Sequence, residues 1–450
     1  MPAILPDDSS PTAQKKMNLI IKEAVITITV MLPTLLQIID SSVVNVSLQH
    51  IIGSLSGGID ESTWIITSYL VASGIVIPIT GWLCRVFGRK NYLLFSIILF
   101  ITGSFFCGFA QNLQTLIFFR VLQGIGGGGL APISQAILLE TYPHEQRGMA
   151  MAFFGMGMLV GPIIGPVLGG WITENGTWRW IFYINVPIGI ISVILTALFI
   201  EDPPYLKRHL KKINYSGLFL LIAWVGCLQT LLDKGQKEGW FTSNYMILLA
   251  CVSAVAFLFF IATEAFSDNP VMNLKTFRNI TFTSGSIVLF CITFVLYNTL
   301  VLLPIYLQTL MGYTSLKAGL TLAPGGLATL ITLPLVGKLI GRVNPKGLLI
   351  FGMLLTAYAT YLATRFTLLS DYQTIVLPRI ILGMGMAFVF TPLTVLAFAT
   401  IPKADMGNAT SIYNLLRNLG GEFRSCLRND HPFKQNPVSP ISPCGAYYAF

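Results

Sequence analysis

The chain has 450 residues, of which 54% are hydrophobic and only 10% charged, with a mean hydropathy of +0.71. A soluble domain carries roughly 25% charge, so this composition excludes one and indicates an all-α polytopic membrane protein. The net charge of +9 does not indicate a nucleic-acid partner, because the basic residues sit in short loops between apolar runs.

Residues 1–21 are polar and Pro-containing, with no cleavable signal pattern. Twelve apolar runs of spanning length follow, at about 22–47, 63–83, 91–110, 113–139, 149–172, 180–200, 214–232, 245–265, 280–310, 318–341, 347–368 and 374–401. A thirteenth opens at Gly407 and stops near Gly421. With the N-terminus inside, the inner segments hold Lys15, Lys16, Lys22, Arg85, Arg89, Lys90, Arg147, Lys207, Arg208, Lys211, Lys212, Lys275, Arg278, Lys338, Arg342, Lys346 and Lys403. The outer segments hold only Arg179, Lys234, Lys237, Lys317 and Arg365. This bias orients the chain and supports the span count, since one missed span would reverse every later loop.

The first run carries Asp40, within Ile38-Ile39-Asp40-Ser41-Ser42-Val43-Val44-Asn45. An ionisable group at that depth must be hydrated, paired or protonated. It reads either as a proton carrier or as a structural acid bonded to its serines or a neighbouring helix. The loop after the second run, Gly81-Trp-Leu-Cys-Arg85-Val-Phe-Gly88-Arg89-Lys90, combines a glycine suited to a tight reversal with an inner-side basic cluster. The fourth run holds Arg120 and Gln123, followed by Gly124–Gly129. A guanidinium keeps its charge, so Arg120 must find carbonyls, an acid or water within the bundle.

In the fifth run Gly157, Gly161, Gly165 and Gly169 recur every fourth residue, with Gly170 adjoining and Pro162 and Pro166 interspersed. The spacing gives a stripe without side chains along one helix face, where a neighbouring backbone approaches closely. The prolines remove backbone donors, which a membrane helix tolerates where neighbours cover the released carbonyls. The stretch reads as a tightly packed structural helix or as a bending helix at a moving interface. Trp178-Arg179-Trp180-Ile-Phe-Tyr-Ile-Asn185-Val-Pro187-Ile-Gly189 opens the sixth run with interface aromatics. In the ninth, Phe294, Tyr297, Asn298 and Gln308 are candidates, with Asn45 and Gln123, for a substrate cavity that holds flat lipophilic cations. Packing is the plainer reading of such aromatics.

The halves repeat. Arg120-Val-Leu-Gln-Gly124 recurs as Arg379-Ile-Ile-Leu-Gly383, Pro132 as Pro392, and Gly81…Lys90 as Gly337…Lys346, offset by about 256–260 residues. Two related halves are the plan of a secondary transporter. The chain then divides into an N-terminal segment (1–21), a six-helix bundle (22–200), a linker with two extra spans (201–265), an incomplete C-terminal bundle (266–421) and a polar tail (422–450).

No catalytic set appears. His50, His144, His209 and His431 lack metal-type spacing, the seven cysteines form no framework, and the glycine run lacks the Gly-Lys-Ser/Thr of a phosphate loop. No enzyme activity, metal or cofactor is expected, and the energy source would be an ion gradient.

Taken together, these stretches resemble the fourteen-span drug–proton antiporters of the major facilitator superfamily. The Gly157–Gly170 stretch resembles the family's fifth-helix "antiporter" motif, Asp40…Val46 its first-helix motif, and Leu116…Gly124 its fourth-helix motif. The Gly81–Lys90 loop resembles the superfamily's most widespread motif, except that Arg85 stands where an acid is usual. The resemblance implies a major facilitator fold of two pseudo-repeat bundles with two extra central spans. It implies a part in proton coupling or cation recognition for Asp40, with Arg120 a fixed positive charge that tunes the proton site, and efflux of hydrophobic or cationic drugs across the inner membrane by alternating access. A periplasmic adaptor and an outer-membrane channel are implied partners, with small substrates, protons and the lipid bilayer. An exporter of one metabolite, such as a siderophore or fatty acid, and a non-transporting truncated membrane remnant are the alternatives. After Gly421 the resemblance stops: charges and prolines to Phe450 bar a completed thirteenth or fourteenth span. A truncation or shifted frame near residue 421 is therefore expected.

Overall fold

The computed structural model describes residues 11–55, 59–203, 214–235, 238–267 and 269–423; the expected polar tail therefore lies almost wholly outside the described residues. In lipid only a helix satisfies a lone segment's backbone internally, and the apolar runs duly become helices. The first half contains α1 (Pro11–Leu55), α2 (Ile59–Phe87), α3 (Arg89–Phe109), α4 (Leu113–Gly128), α5 (Leu130–Thr141), α6 (Arg147–Asn175), α7 (Trp180–Tyr183) and α8 (Asn185–Phe199). A hairpin follows, α9 (Tyr215–Lys234) and α10 (Asn244–Phe266). The second half contains α11 (Ile280–Ile305), α12 (Ser315–Ile340), α13 (Pro345–Ala363), α14 (Tyr372–Phe398) and α15 (Met406–Glu422).

Among the described residues eleven helical spans are long and apolar enough to cross a membrane, and the α6 stretch Arg147–Gly161 is a shorter apolar helix. α4 and α5 together form one of these spans, interrupted at Gly129. There the Tyr92 hydroxyl leaves no room for a side chain. The helix starts are written in local chemistry: Asn112, Asn214, Asn279, Thr314 and Asn344 each accept a hydrogen bond from the first turn of α4, α9, α11, α12 and α13. Gly88 separates α2 from α3 at φ 85°, a conformation that only glycine adopts without strain.

The halves meet at the end that carries Arg89. Gly148 of α6 lies against Ile340, Gly337 of α12 against Met149 and Ala152, and Gly81 against the Gly407–Asn408 backbone. Asn414 Nδ2 donates to Gln135 Oε1 at 2.6 Å, and Lys403 Nζ reaches the Glu140 carbonyl at 3.5 Å. The glycines of α6 that face the second half run from Gly148 to Gly155, and Met158 still receives Arg417 Nη1 of α15 at 3.1 Å; the glycines from Gly157 to Gly169 face α1 of their own half. The molecule is thus closed between the halves at the Arg89 end.

The α9–α10 hairpin is held by Trp224 stacked on Phe260 and tilted against Phe257. α9 lies beside α2, where Gly74 admits the Gln229 side chain and Thr67 hydrogen-bonds Asp233. Gln229 Nε2 also donates to Glu422 Oε1 of α15 at 3.1 Å. One extra span therefore touches both halves.

Candidate functional site

Asp40 and Arg120, 80 residues apart in sequence, form one buried ion pair: Arg120 Nη1 donates to Asp40 Oδ2 at 2.7 Å. Each is at most 1% exposed. Gln123, one turn beyond Arg120, donates from Nε2 to Asp40 Oδ1 at 2.9 Å and accepts from Arg120 Nη1 at 2.8 Å. Asn185, the first residue of α8, donates from Nδ2 to the same Asp40 oxygen at 2.7 Å. Ser104 of α3 anchors that amide: its hydroxyl accepts from Asn185 at 3.0 Å and donates to the Phe182 carbonyl at 2.8 Å. Four helices thus converge on one carboxylate.

The guanidinium has partners besides the acid. Arg120 Nε donates to the Ile65 carbonyl at 3.1 Å, and its carbon sits 4.2 Å from the centre of the Tyr69 ring and 5.9 Å from that of Phe182. A cation over an aromatic face is stabilised even where water is excluded. Apart from the acid, Arg120 therefore has a carbonyl, an amide oxygen and a π face. This arrangement lets a buried pair lose one charge without stranding the other, which is ordinarily the costly event.

The glycine stripe of α6 lies on the other side of α1. Side chains at Gly157, Gly161 and Gly165 would collide with Met31, Ile38 and Ser42, and one at Gly169 would lie 3.1 Å from the Val43 carbonyl. Gly170 faces nothing within 4 Å. The stripe seats the helix that holds Asp40, two residues from both Ile38 and Ser42. The α6 backbone is helical through positions 162 and 166, where Pro162 and Pro166 stand.

The Gly81–Lys90 loop is fastened on several sides. Arg85 Nη2 donates to the carbonyls of Pro270 (3.1 Å) and Val271 (3.5 Å), in the segment that leads into the second half. A base thus reaches across to backbone oxygens at the position where the motif usually has an acid. Arg89 pairs with Glu140 of α5. The Lys90 amide donates to Asp202 Oδ1 at 2.9 Å, and its ammonium to the Ala197 carbonyl at 2.6 Å.

The residues proposed for a substrate cavity lie on three helices and a π-helical turn. Gln123 belongs to the charge cluster. Asn45 is exposed on α1, Phe294 and Asn298 are half-buried and Tyr297 exposed on α11, and Gln308 lies in the π-helical turn Tyr306–Leu310. Asn298 Nδ2 donates to the Phe294 carbonyl of its own helix at 2.8 Å, and the Tyr297 ring packs on Gly421. Sequence reasoning did not assign Asn185, Ser104, Tyr69 or the Ile65 carbonyl to the Asp40 site. Only Asn185 stood in a singled-out string, and there as part of an interface segment.

A fold of two related helical halves, the first enclosing a buried charge pair, is that of a secondary transporter. The family model of the Major Facilitator Superfamily matches residues 30–423, and the chain belongs to that family, one of multi-pass membrane transporters and not of enzymes. The chain is 38% identical over 430 residues to the multidrug export protein EmrB of Haemophilus influenzae, covering 93% of this chain and 84% of that one. It is 35% identical over 405 residues to the fatty acid resistance protein FarB of Neisseria gonorrhoeae, covering 88% and 78%. The solved structure of the proton:xylose symporter XylE superimposes with a TM-score of 0.64 at 17% identity, over 90% of this chain and 87% of that one, which supports the fold alone.

Proposed function

We propose that this protein exports hydrophobic or cationic drugs across the inner membrane in exchange for protons, by alternating access. The observation that carries this reading is the Asp40 cluster: an acid buried at 1% exposure whose cationic partner retains Ile65, Gln123 and Tyr69 when the acid is neutralised. Similarity to EmrB supports the drug-export part. The Lys and Arg bias supports a cytoplasmic N-terminus and Arg89 end. Closure of the halves at that end then makes the described conformation outward-facing. The proton gradient supplies the energy, with no bound cofactor. A periplasmic adaptor and an outer-membrane channel would complete the export path.

Efflux from everted vesicles with and without a proton gradient tests the reading. Gradient-dependent uptake of a fluorescent drug is expected, and its persistence after the gradient is collapsed would contradict proton drive. A narrower reading, export of one class of amphiphile, is favoured by similarity to FarB. A substrate panel in the same vesicles separates broad from narrow export.

A further inference from the structure

Arg379 is the repeat counterpart of Arg120, at the same depth in α14 as Arg120 in α4. The structure supports that register. In the first half a side chain on Gly124 would meet the Tyr69 carbonyl at 2.7 Å, and in the second a side chain on Gly383 would collide with the Gly325 carbonyl. The pair Arg120–Gly124 thus seats on Tyr69 as Arg379–Gly383 seats on Gly325.

Three partners of Arg120, namely Tyr69, Gln123 and Asp40, have no equivalents at the matching described positions of the second half. Tyr69 is replaced by Gly325, which has no ring. Gln123 is replaced by Leu382. The same offset carries Asp40 to the stretch Leu296-Tyr297-Asn298-Thr299-Leu300, which contains no acid. Indeed α11, α12, α13 and α14 contain neither Asp nor Glu, and the sole acid of α15, Glu422, accepts from Gln229. Arg379 is only 7% exposed, and its Nε and Nη1 are buried without a hydrogen-bond partner among the described residues. A second cation of this half, Arg417, directs Nη1 to the Met158 sulfur at 3.1 Å, a weak acceptor.

A guanidinium held in this way lacks the anion its charge requires in a low-dielectric interior. Carboxylates match its planar fork bidentately. We infer that Arg379 is an anion-binding site for cargo: it takes the carboxylate of an acidic amphiphile, so that the second half recognises the charged head while the first half handles the proton. The inference rests on the export reading above and deepens it, widening the cargo from hydrophobic and cationic compounds to hydrophobic carboxylates.

The test uses the purified full chain in zwitterionic lipid nanodiscs, with octanoate and octyltrimethylammonium as probes of equal tail and opposite charge. Saturable thermal stabilisation gives their apparent affinities without requiring transport. Arg379→Gln is expected to weaken octanoate about tenfold or more, the scale of a lost charged hydrogen-bond pair, and to leave octyltrimethylammonium within about twofold. Arg379→Lys keeps the charge and loses the fork, so it should fall between wild type and Arg379→Gln for octanoate, and it carries the test if Arg379→Gln does not fold. Equal weakening of both probes, unchanged octanoate affinity in the variants, or no saturable octanoate response in wild type would overturn the inference. Failure of gradient-driven efflux with the octanoate response intact would count against the export reading alone.

Discussion

A carboxylate surrounded by lipid-facing helices stays in place only while its counter-charge and donors are within reach, and Asp40 has three: Arg120, Gln123 and Asn185. Hydrogen bonds to a charged group are worth about 1.5–3 kcal/mol each. Asn185→Ala is therefore expected to lower proton-coupled efflux roughly tenfold or more while cargo binding holds. Parallel measurement of binding and gradient-driven efflux checks this, and a loss of both together would assign Asn185 to packing alone. Arg120→Gln strands the acid, which costs about 3–5 kcal/mol when a buried pair loses one member. The double variant Asp40→Asn/Arg120→Gln should melt closer to wild type than Arg120→Gln does. Thermal unfolding in detergent reads the difference, and simple additivity of the single effects would show that the two side chains act independently. Both charges were legible in the sequence as expensive intramembrane groups. Their pairing was not, because nothing in a linear string reports that residues 80 and 145 positions from Asp40 share its carboxylate.

Helices that bear glycine every fourth residue give up side-chain contacts in exchange for backbone proximity. In α6 that proximity serves α1, since Met31, Ile38, Ser42 and Val43 fill the places where side chains would project. Gly165→Leu must push Ser42, and with it the turn that carries Asp40. It is expected to reduce efflux at least tenfold while the chain still inserts; a chain that transports normally would show that the stripe is mere packing. Span positions were readable because the lipid requirement imposes long apolar runs: eleven of the twelve runs correspond to the membrane-length spans within about five residues, and the run at 149–172 lies in α6, whose shorter apolar stretch is Arg147–Gly161. The direction of the glycine face was not readable, since periodicity defines a stripe but not the helix that occupies it. The Arg85 contact was hidden for a similar reason: its acceptors are backbone carbonyls, which carry no residue signature.

For the whole molecule, closure at the Arg89 end and the outward-facing reading define what must break for cargo to enter from the other side. Arg85 to Pro270 and Val271, Gln135 to Asn414, and Lys403 to Glu140 all tie the halves there. Arg85→Gln removes a charged donor from this set and is expected to shift the population toward the inward-open state. Distance measurements between spin labels at the Arg89 ends of α6 and α12 should show a longer-distance population, and an unaltered distribution would indicate that this contact holds the loop but not the halves. The α9–α10 hairpin is bonded to α2 and also to α15 through Gln229 and Glu422, so the proposed alternating access requires the hairpin to move with one half or slip along it.

Proton-driven export, as proposed, requires Asp40 to exchange its proton when cargo binds. The most direct measurement is cargo-induced proton release from purified protein in weakly buffered solution, followed with a pH-sensitive dye. Wild type should acidify the medium on addition of a drug, and Asp40→Asn should bind the same drug without acidification. Equal proton release from the variant would contradict the account.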